Sequence, residues 1–262
     1  MSKKIISALL ATAMTATLLV GCGGSQEAAA PAADAPAATE EAATEEAAPA
    51  EANGIKIGVS MPTKDLQRWN QDGDNMKKEL EAAGYEVDLQ YAANDVQQQV
   101  SQCENMISSG CNVLVIAAVE GSSMGEALSM AKENDIPVIA YDRLLMESDA
   151  VSYYATFDNY MVGTIQGQYV VDTLQLDSAE GPFNIEFTAG DPGDNNAGYF
   201  FNGAFDVLKP YIESGKLNVV SGQKDFDSVA TPTWATETAQ SRAENILSSF
   251  YADGTNGDVW LC

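Results

Sequence analysis

From Gly54 onward, short apolar runs alternate with segments of helical period, and this alternation constrains the fold more than any other feature. "GIKIGVSMP" reads as a strand, followed by helical spacing over Asp65–Ala83 that closes at Gly84. "YEVDLQYA" is a second strand, Asp95–Ser109 a helix ended by Gly110, and "CNVLVIAAV" a third strand. Ser122–Asn134 then reads as helix, "IPVIAYD" as a fourth strand and "VSYYATFD" as a shorter one. A shift near Phe157-Asp158-Asn159 suggests that the chain leaves one sheet for another. Beyond it come a helix over Met161–Leu174, the strand "PFNIEFTAG", a helix over Asn195–Glu213 and the strand "KLNVVSGQ". A helix over Thr236–Tyr251 and the start of a strand in "GDVWLC" close the chain. Strands alternating with helices through short links predict an α/β fold, with Rossmann-like parallel sheets wound by helices on both faces. Two lobes are expected, 54–157 and 158–262.

The N-terminal part stands outside that pattern. Lys3 and Lys4 precede an apolar run from Ile5 to Val20, too short for a comfortable membrane span and ending in small residues. Residues 1–21 are therefore expected to be a signal peptide. Leu19-Val20-Gly21-Cys22 resembles the lipobox of bacterial lipoproteins, which makes Cys22 the expected lipidation site; ordinary secretory cleavage is the alternative. Residues 22–53, almost entirely Ala, Glu, Pro, Gly, Ser and Thr, lack the apolar mass to offset their ordering entropy and are expected to form a disordered tether. The expected location is extracytoplasmic, held to the cell membrane by the lipid.

Charge and composition exclude several functions. Asp and Glu number 38 against 13 Lys and Arg, a balance opposed to nucleic-acid binding. There is no histidine, which removes His-based acid–base catalysis, Ser-His and Cys-His nucleophile pairs and most zinc sites. No cofactor and no metal site is expected; "DPGDNNAG" lacks the spacing of a calcium loop. Cys103 falls on an apolar helix face with Val96, Val100 and Ile107, and Cys111 opens a strand. Both read as buried thiols, with a disulfide between them left open.

Ligands of open parallel sheets bind beyond the carboxyl ends of the strands. The first strand is followed by Lys64, Arg68 and Trp69; the fourth by Asp142 and Arg143. The first strand of the second lobe leads to Asp191, Asp194, Asn195 and Asn196, and the next to a loop reaching Trp234. The chain has three arginines, and two of them lie at these ends; the third, Arg242, sits within a helix and reads as solvated. Planar Asp, Asn and Arg groups suit vicinal hydroxyls, and Trp offers a flat face to the C–H side of a sugar ring. Each piece has a plainer reading. Asp142-Arg143 alone fits a surface ion pair. Arg68 fits a solvated helix face with Trp69 as its core-facing neighbour. "DPGDNNAG" fits a turn and helix cap through Asp194 or Asn195, and Trp234 a cover for the core edge.

Together, "RWNQD", "SQCENMISSGCNVLVIAA", "VIAYDRL", "YYATFDN", "DPGDNNA" and "VLKPYIESGKL" resemble the type I periplasmic binding proteins for monosaccharides. The likeness is to the xylose-binding proteins and to the broad-specificity aldose binders in particular. It implies sugar contacts at Arg68, Trp69, Asp142, Arg143, Asp194, Asn196 and Trp234. Lys64 matches the broad-specificity binders better than the xylose ones. It further implies two lobes joined by three crossover strands and closing on a sugar such as xylose, glucose, galactose or arabinose. No enzymatic activity, a monomeric state and an ABC-type permease as partner are also implied, with a chemoreceptor as a further partner. In the family the chain runs on past the strand that ends here and carries further contacts, so the second lobe is expected to be incomplete. Two other functions stand beside sugar delivery. One is sensing of a sugar or sugar-like autoinducer. The other is a glycosidase using Asp142 and Asp194, against which Arg143 would hold Asp142 ionised.

Overall fold

β1 (Lys56–Met61) lies inside a parallel five-stranded sheet with both of its faces covered; every residue after Lys56 is buried. The computed structural model describes residues 54–261; the expected leader, Cys22 and tether lie outside the described residues. Around β1 are β2 (Glu86–Tyr91), β3 (Val113–Ile116), β4 (Val138–Tyr141) and β5 (Val151–Ala155), in the order β2-β1-β3-β4-β5. All four pairings are parallel. α1 (Gln67–Ala82), α2 (Val96–Ser108) and α3 (Gly125–Glu133) are the crossovers. Two cores result. One joins Cys103, Met106, Leu114, Leu128 and Val138, and the other Ile57, Val59, Met61, Val87 and Trp69.

The second sheet has the order β7-β6-β8, with β6 (Phe183–Phe187), β7 (Leu217–Val219) and β8 (Val259–Leu261) again parallel. α4 (Asn159–Thr173) and α5 (Asn195–Glu213) pack on it around Val170, Leu176, Ile185, Phe187 and Leu208. These two helices touch backbone to backbone. A β-carbon added at Gly163 would meet Phe200 O at 2.0 Å, and one at Gly203 would meet Tyr160 O at 2.1 Å. α4 begins at Asn159, two residues before the sequence expectation, because Asp158 caps it by accepting from Met161 N at 2.8 Å. α7 (Thr236–Phe250) matches its expectation, but α6 (Phe226–Val229) and a 3-10 turn (Pro232–Trp234) do not appear in the sequence reading. Elements of three or four residues are too short to show a period.

Arg242 corrects the sequence reading. It is half-buried rather than solvated, and its Nη2 donates to Phe187 O at 3.2 Å. Burial lowers its pKa, and Glu186 opposes that shift. Glu186, 1 % exposed on β6, accepts from Ser221 N and Tyr251 Oη, both at 2.9 Å. Cys103 and Cys111 are buried free thiols. Among the described residues no helix is long and apolar enough to cross a membrane.

Candidate functional site

The chain changes direction sharply where β4 ends. Asp142 has φ +62, a left-handed conformation rarely adopted by side-chain-bearing residues and enriched at functional positions. Four hydrogen bonds hold it there. Its N–H donates to Ala155 O at 2.8 Å. Its own carbonyl accepts from Asn196 Nδ2 at 2.9 Å, Tyr154 Oη at 3.0 Å and Thr156 Oγ1 at 3.2 Å. The turned backbone sends the Asp142 carboxylate to the guanidinium of Arg68, which also pairs with Asp72 at 3.2 Å. Burial pulls the Arg68 pKa down, but the two carboxylates outweigh it and the net shift is upward.

Arg143 points the other way. Its Nη1 donates to Ala118 O at 2.8 Å and Val119 O at 3.1 Å, and its Nε lies 3.3 Å from Asp194 Oδ2. Arg143 and Asp194 are both 5 % exposed. Burial lowers the Arg143 pKa against the pull of Asp194, and it raises the Asp194 pKa against the pull of Arg143. Desolvation therefore exceeds attraction on both sides of the pair. Gln99 on α2 holds the same stretch of main chain through neighbouring groups. Gln99 is fully buried, donates to Ala117 O at 2.9 Å and accepts from Val119 N at 2.7 Å. Trp69, 2 % exposed, lies beneath both guanidiniums, with ring centroids 4.3 Å from Arg68 and 5.2 Å from Arg143.

The second sheet supplies the facing wall. Asp194 is the N-cap of α5, accepting from Asn196 N at 3.0 Å through Oδ1. Its Oδ2 accepts from Trp234 Nε1 at 3.1 Å, so one carboxylate serves the helix, the indole and Arg143. Trp234 has φ +54, directly after Thr233 at φ +56, and its indole lies against Gly190. Gly190 makes room for it: a β-carbon there would meet Trp234 Cη2 at 2.0 Å. The cap reading of Asp194 and the ligand reading are thus compatible, since capping uses only one of its oxygens.

Between these walls lies a cavity of about 260 Å³. It is lined by Arg68, Trp69, Asp142, Arg143, Asp194, Asn196 and Trp234, all expected from the sequence, with Leu66, Phe157 and Phe200 added. Lys64 is the exception among the expected contacts. It is exposed and absent from the cavity wall, and its Nζ lies 4.8 Å from the centroid of the Tyr91 ring. An ammonium on a flexible stem finds an aromatic face near its own loop in preference to reaching the cavity. A larger cavity of about 670 Å³ runs along α7, but Arg242 and Glu237 are its only charged lining groups, and they do not converge as the 260 Å³ set does.

Gln99, Tyr154, Asn159, Phe157 and Phe200 were not singled out in the sequence. Gln99 carried one signal, a polar residue on the same helix face as Val96, Val100 and Cys103. Phe157 and Asn159 lie in the very segment where the pattern shifts. Among the described residues no cluster of acidic or sulfur groups could hold a metal ion.

Residues 57–262 match the model of the periplasmic binding protein domain. The chain is 52 % identical over 197 residues to a multiple sugar-binding periplasmic protein of Azospirillum brasilense, covering 75 % of this chain and 55 % of that one. It is 37 % identical over 198 residues to the D-xylose-binding periplasmic protein of Escherichia coli, covering 76 % and 56 %. It therefore spans about half the length of these relatives. Among solved structures, an ABC transporter solute-binding protein of Clostridium phytofermentans with bound β-D-glucose is 65 % identical, with a TM-score of 0.77, covering 79 % of this chain and 64 % of that one. The fold and the match over 57–262 place the chain in one family: it belongs to the periplasmic binding proteins.

Proposed function

We propose that this chain captures a monosaccharide, an aldose such as xylose, glucose, galactose or arabinose, and delivers it to an ABC-type importer without chemical change. The observation that carries the reading is the convergence of two Arg–Asp pairs and two indoles on one cavity of about 260 Å³. The Asp142 and Asp194 carboxylates accept from sugar hydroxyls, while the guanidiniums of Arg68 and Arg143 donate to ring and hydroxyl oxygens. Trp69 and Trp234 offer apolar faces to the ring C–H groups. A wrong epimer leaves the buried Asp142, Arg143 or Asp194 groups unpaired, and this supplies discrimination. The relatives' names and the glucose bound in the Clostridium phytofermentans structure support the same ligand class.

Work outside the cytoplasm, with a lipid on Cys22 as the tether's anchor, belongs to the same reading. Sugar sensing is a second reading, favoured by a relative from Rhizobium radiobacter that is 52 % identical and is named a multiple sugar-binding periplasmic receptor. The test is a panel of pentoses and hexoses against thermal unfolding of the full chain, followed by titration calorimetry. A true ligand at a hundred times its dissociation constant adds about 2.7 kcal/mol of stability. No shift with any aldose, or turnover of an aryl glycoside, overturns the proposal.

A further inference from the structure

We infer that Asn159 is a positioning residue, fixing the side-chain amide of Asn196 as a hydrogen-bond donor toward the captured molecule; this rests on the sugar-binding reading above. Asn196 lines the cavity and is 2 % exposed. One end of its amide lies 2.9 Å from the main-chain oxygen of Asp142. A main-chain oxygen only accepts, so that end is the NH2 group. The other end is therefore Oδ1, which needs donors.

Two groups approach it. Asn159 Nδ2 lies 2.8 Å away, and Tyr154 Oη lies 3.3 Å away. The tyrosine has a single proton and is nearer to Asp142 O, at 3.0 Å, so Asn196 receives at most a share of it. Asn159 is the donor that holds the amide. Its own Oδ1 is buried with no hydrogen-bond partner. Turning the Asn159 amide over would instead set two oxygens against each other at the 2.8 Å contact. An orphaned buried acceptor calls for an explanation, and the fixed orientation of Asn196 supplies one. The backbone contact of α4 with α5 at Gly163 and Gly203 keeps the two asparagines in register.

Asp142 O takes one proton of the Asn196 amide and leaves the second for the cavity. The sugar oxygen facing Asn196 must then accept, whereas those facing the Asp142 and Asp194 carboxylates must donate. The cavity therefore distinguishes the polarity of each hydroxyl as well as its position.

Fluorine accepts weakly and cannot donate, so deoxyfluoro and deoxy sugars read this polarity directly. The bound aldose is replaced in turn by each of its monofluoro and monodeoxy analogues in calorimetric titrations of the full chain. The wild type is expected to tolerate fluorine but not hydrogen at one position, the one facing Asn196. In Asn159→Leu and Asn159→Ala that preference for fluorine over hydrogen disappears and affinity for the parent sugar falls roughly tenfold. In Tyr154→Phe the preference survives. Folding of each variant is checked by circular dichroism; Asn159→Asp, which keeps the shape of the side chain at the N-terminus of α4 but sets an acceptor against Asn196 Oδ1, is the third variant and is expected to lose the preference as well. A wild type with no fluorine-tolerant position, or Asn159 variants that keep it, overturns the assignment while leaving sugar binding in place. A wild type that binds no aldose overturns the functional reading and this assignment together.

Discussion

The indole of Trp234 occupies the space that a side chain at position 190 would need, since a β-carbon on Gly190 would sit 2.0 Å from its Cη2. A glycine three residues beyond β6 is thus a condition for the tryptophan to close the cavity. Gly190→Ala is expected to push the indole off Asp194, break the 3.1 Å bond from Nε1 and weaken sugar binding at least tenfold, roughly the worth of one hydrogen bond to a charged group. Tryptophan fluorescence of the variant without sugar should move toward that of a solvent-exposed indole. Sugar affinity unchanged from wild type would sink this account of Gly190.

The Arg143–Asp194 pair is buried on both sides, so removing one partner strands the other. Arg143→Ala leaves a desolvated carboxylate and the unpaired carbonyls of Ala118 and Val119. A loss of about 3–5 kcal/mol in urea-induced unfolding is expected, together with loss of sugar binding. A variant as stable as wild type would mean that the pair is hydrated in solution.

Asp194 also gives a signed pH dependence. Burial raises its folded pKa above the ordinary 3.8, so the native state holds its proton more tightly than the unfolded chain. Between 3.8 and the higher folded value, this group makes stability fall as pH rises; below that window its contribution is fully favourable. Asp194→Asn removes the term. The difference in unfolding free energy between wild type and variant should therefore change with pH inside that window and flatten above it. A difference independent of pH would show that Asp194 titrates normally.

Cys103 is pushed up to about 12 by burial, and Cys111, 2 % exposed, is shifted upward for the same reason. A thiol that stays protonated is a poor nucleophile. Alkylation of the native protein at neutral pH, read by mass spectrometry at each cysteine, should leave both unmodified, and prior unfolding in urea should make both react. Rapid modification of Cys103 in the native state would contradict its placement in the core.

Cys22→Ser tests the proposed anchor. The variant is expected to move from the membrane fraction to the soluble extracytoplasmic fraction, because the lipid is the only attachment proposed. Sedimentation with membranes in spite of the substitution would remove the lipoprotein reading.

The sheet elements were legible because parallel strands buried on both faces write themselves as apolar runs such as Val113–Ile116. The cavity residues were legible because strand ends are where such sheets hold ligands, and scarce Arg and Trp residues collected there. Polar residues that act from behind were harder to read. Gln99 and Asn159 work through carbonyls and amides brought in from distant positions, Ala117 and Val119 in one case and Asn196 in the other. Arg242 misled for a related reason: the reach of a long cationic side chain is set by its tertiary neighbours, here Phe187 O, and the same reach lays Lys64 over the Tyr91 ring.

The close seam between α4 and α5 has a consequence for time. With Gly163 and Gly203 pressed against opposing backbone, neither helix can slide past the other without a clash, so Asn159, Asn196 and the Asp194 cap travel as one piece. If the chain captures a sugar as proposed, its release is expected to require opening of both the Asn196–Asp142 and the Arg143–Asp194 links, which tie this piece to the end of β4. Residence time, set by that opening, is where substitutions across the seam would register first, with the rate of arrival left largely unchanged.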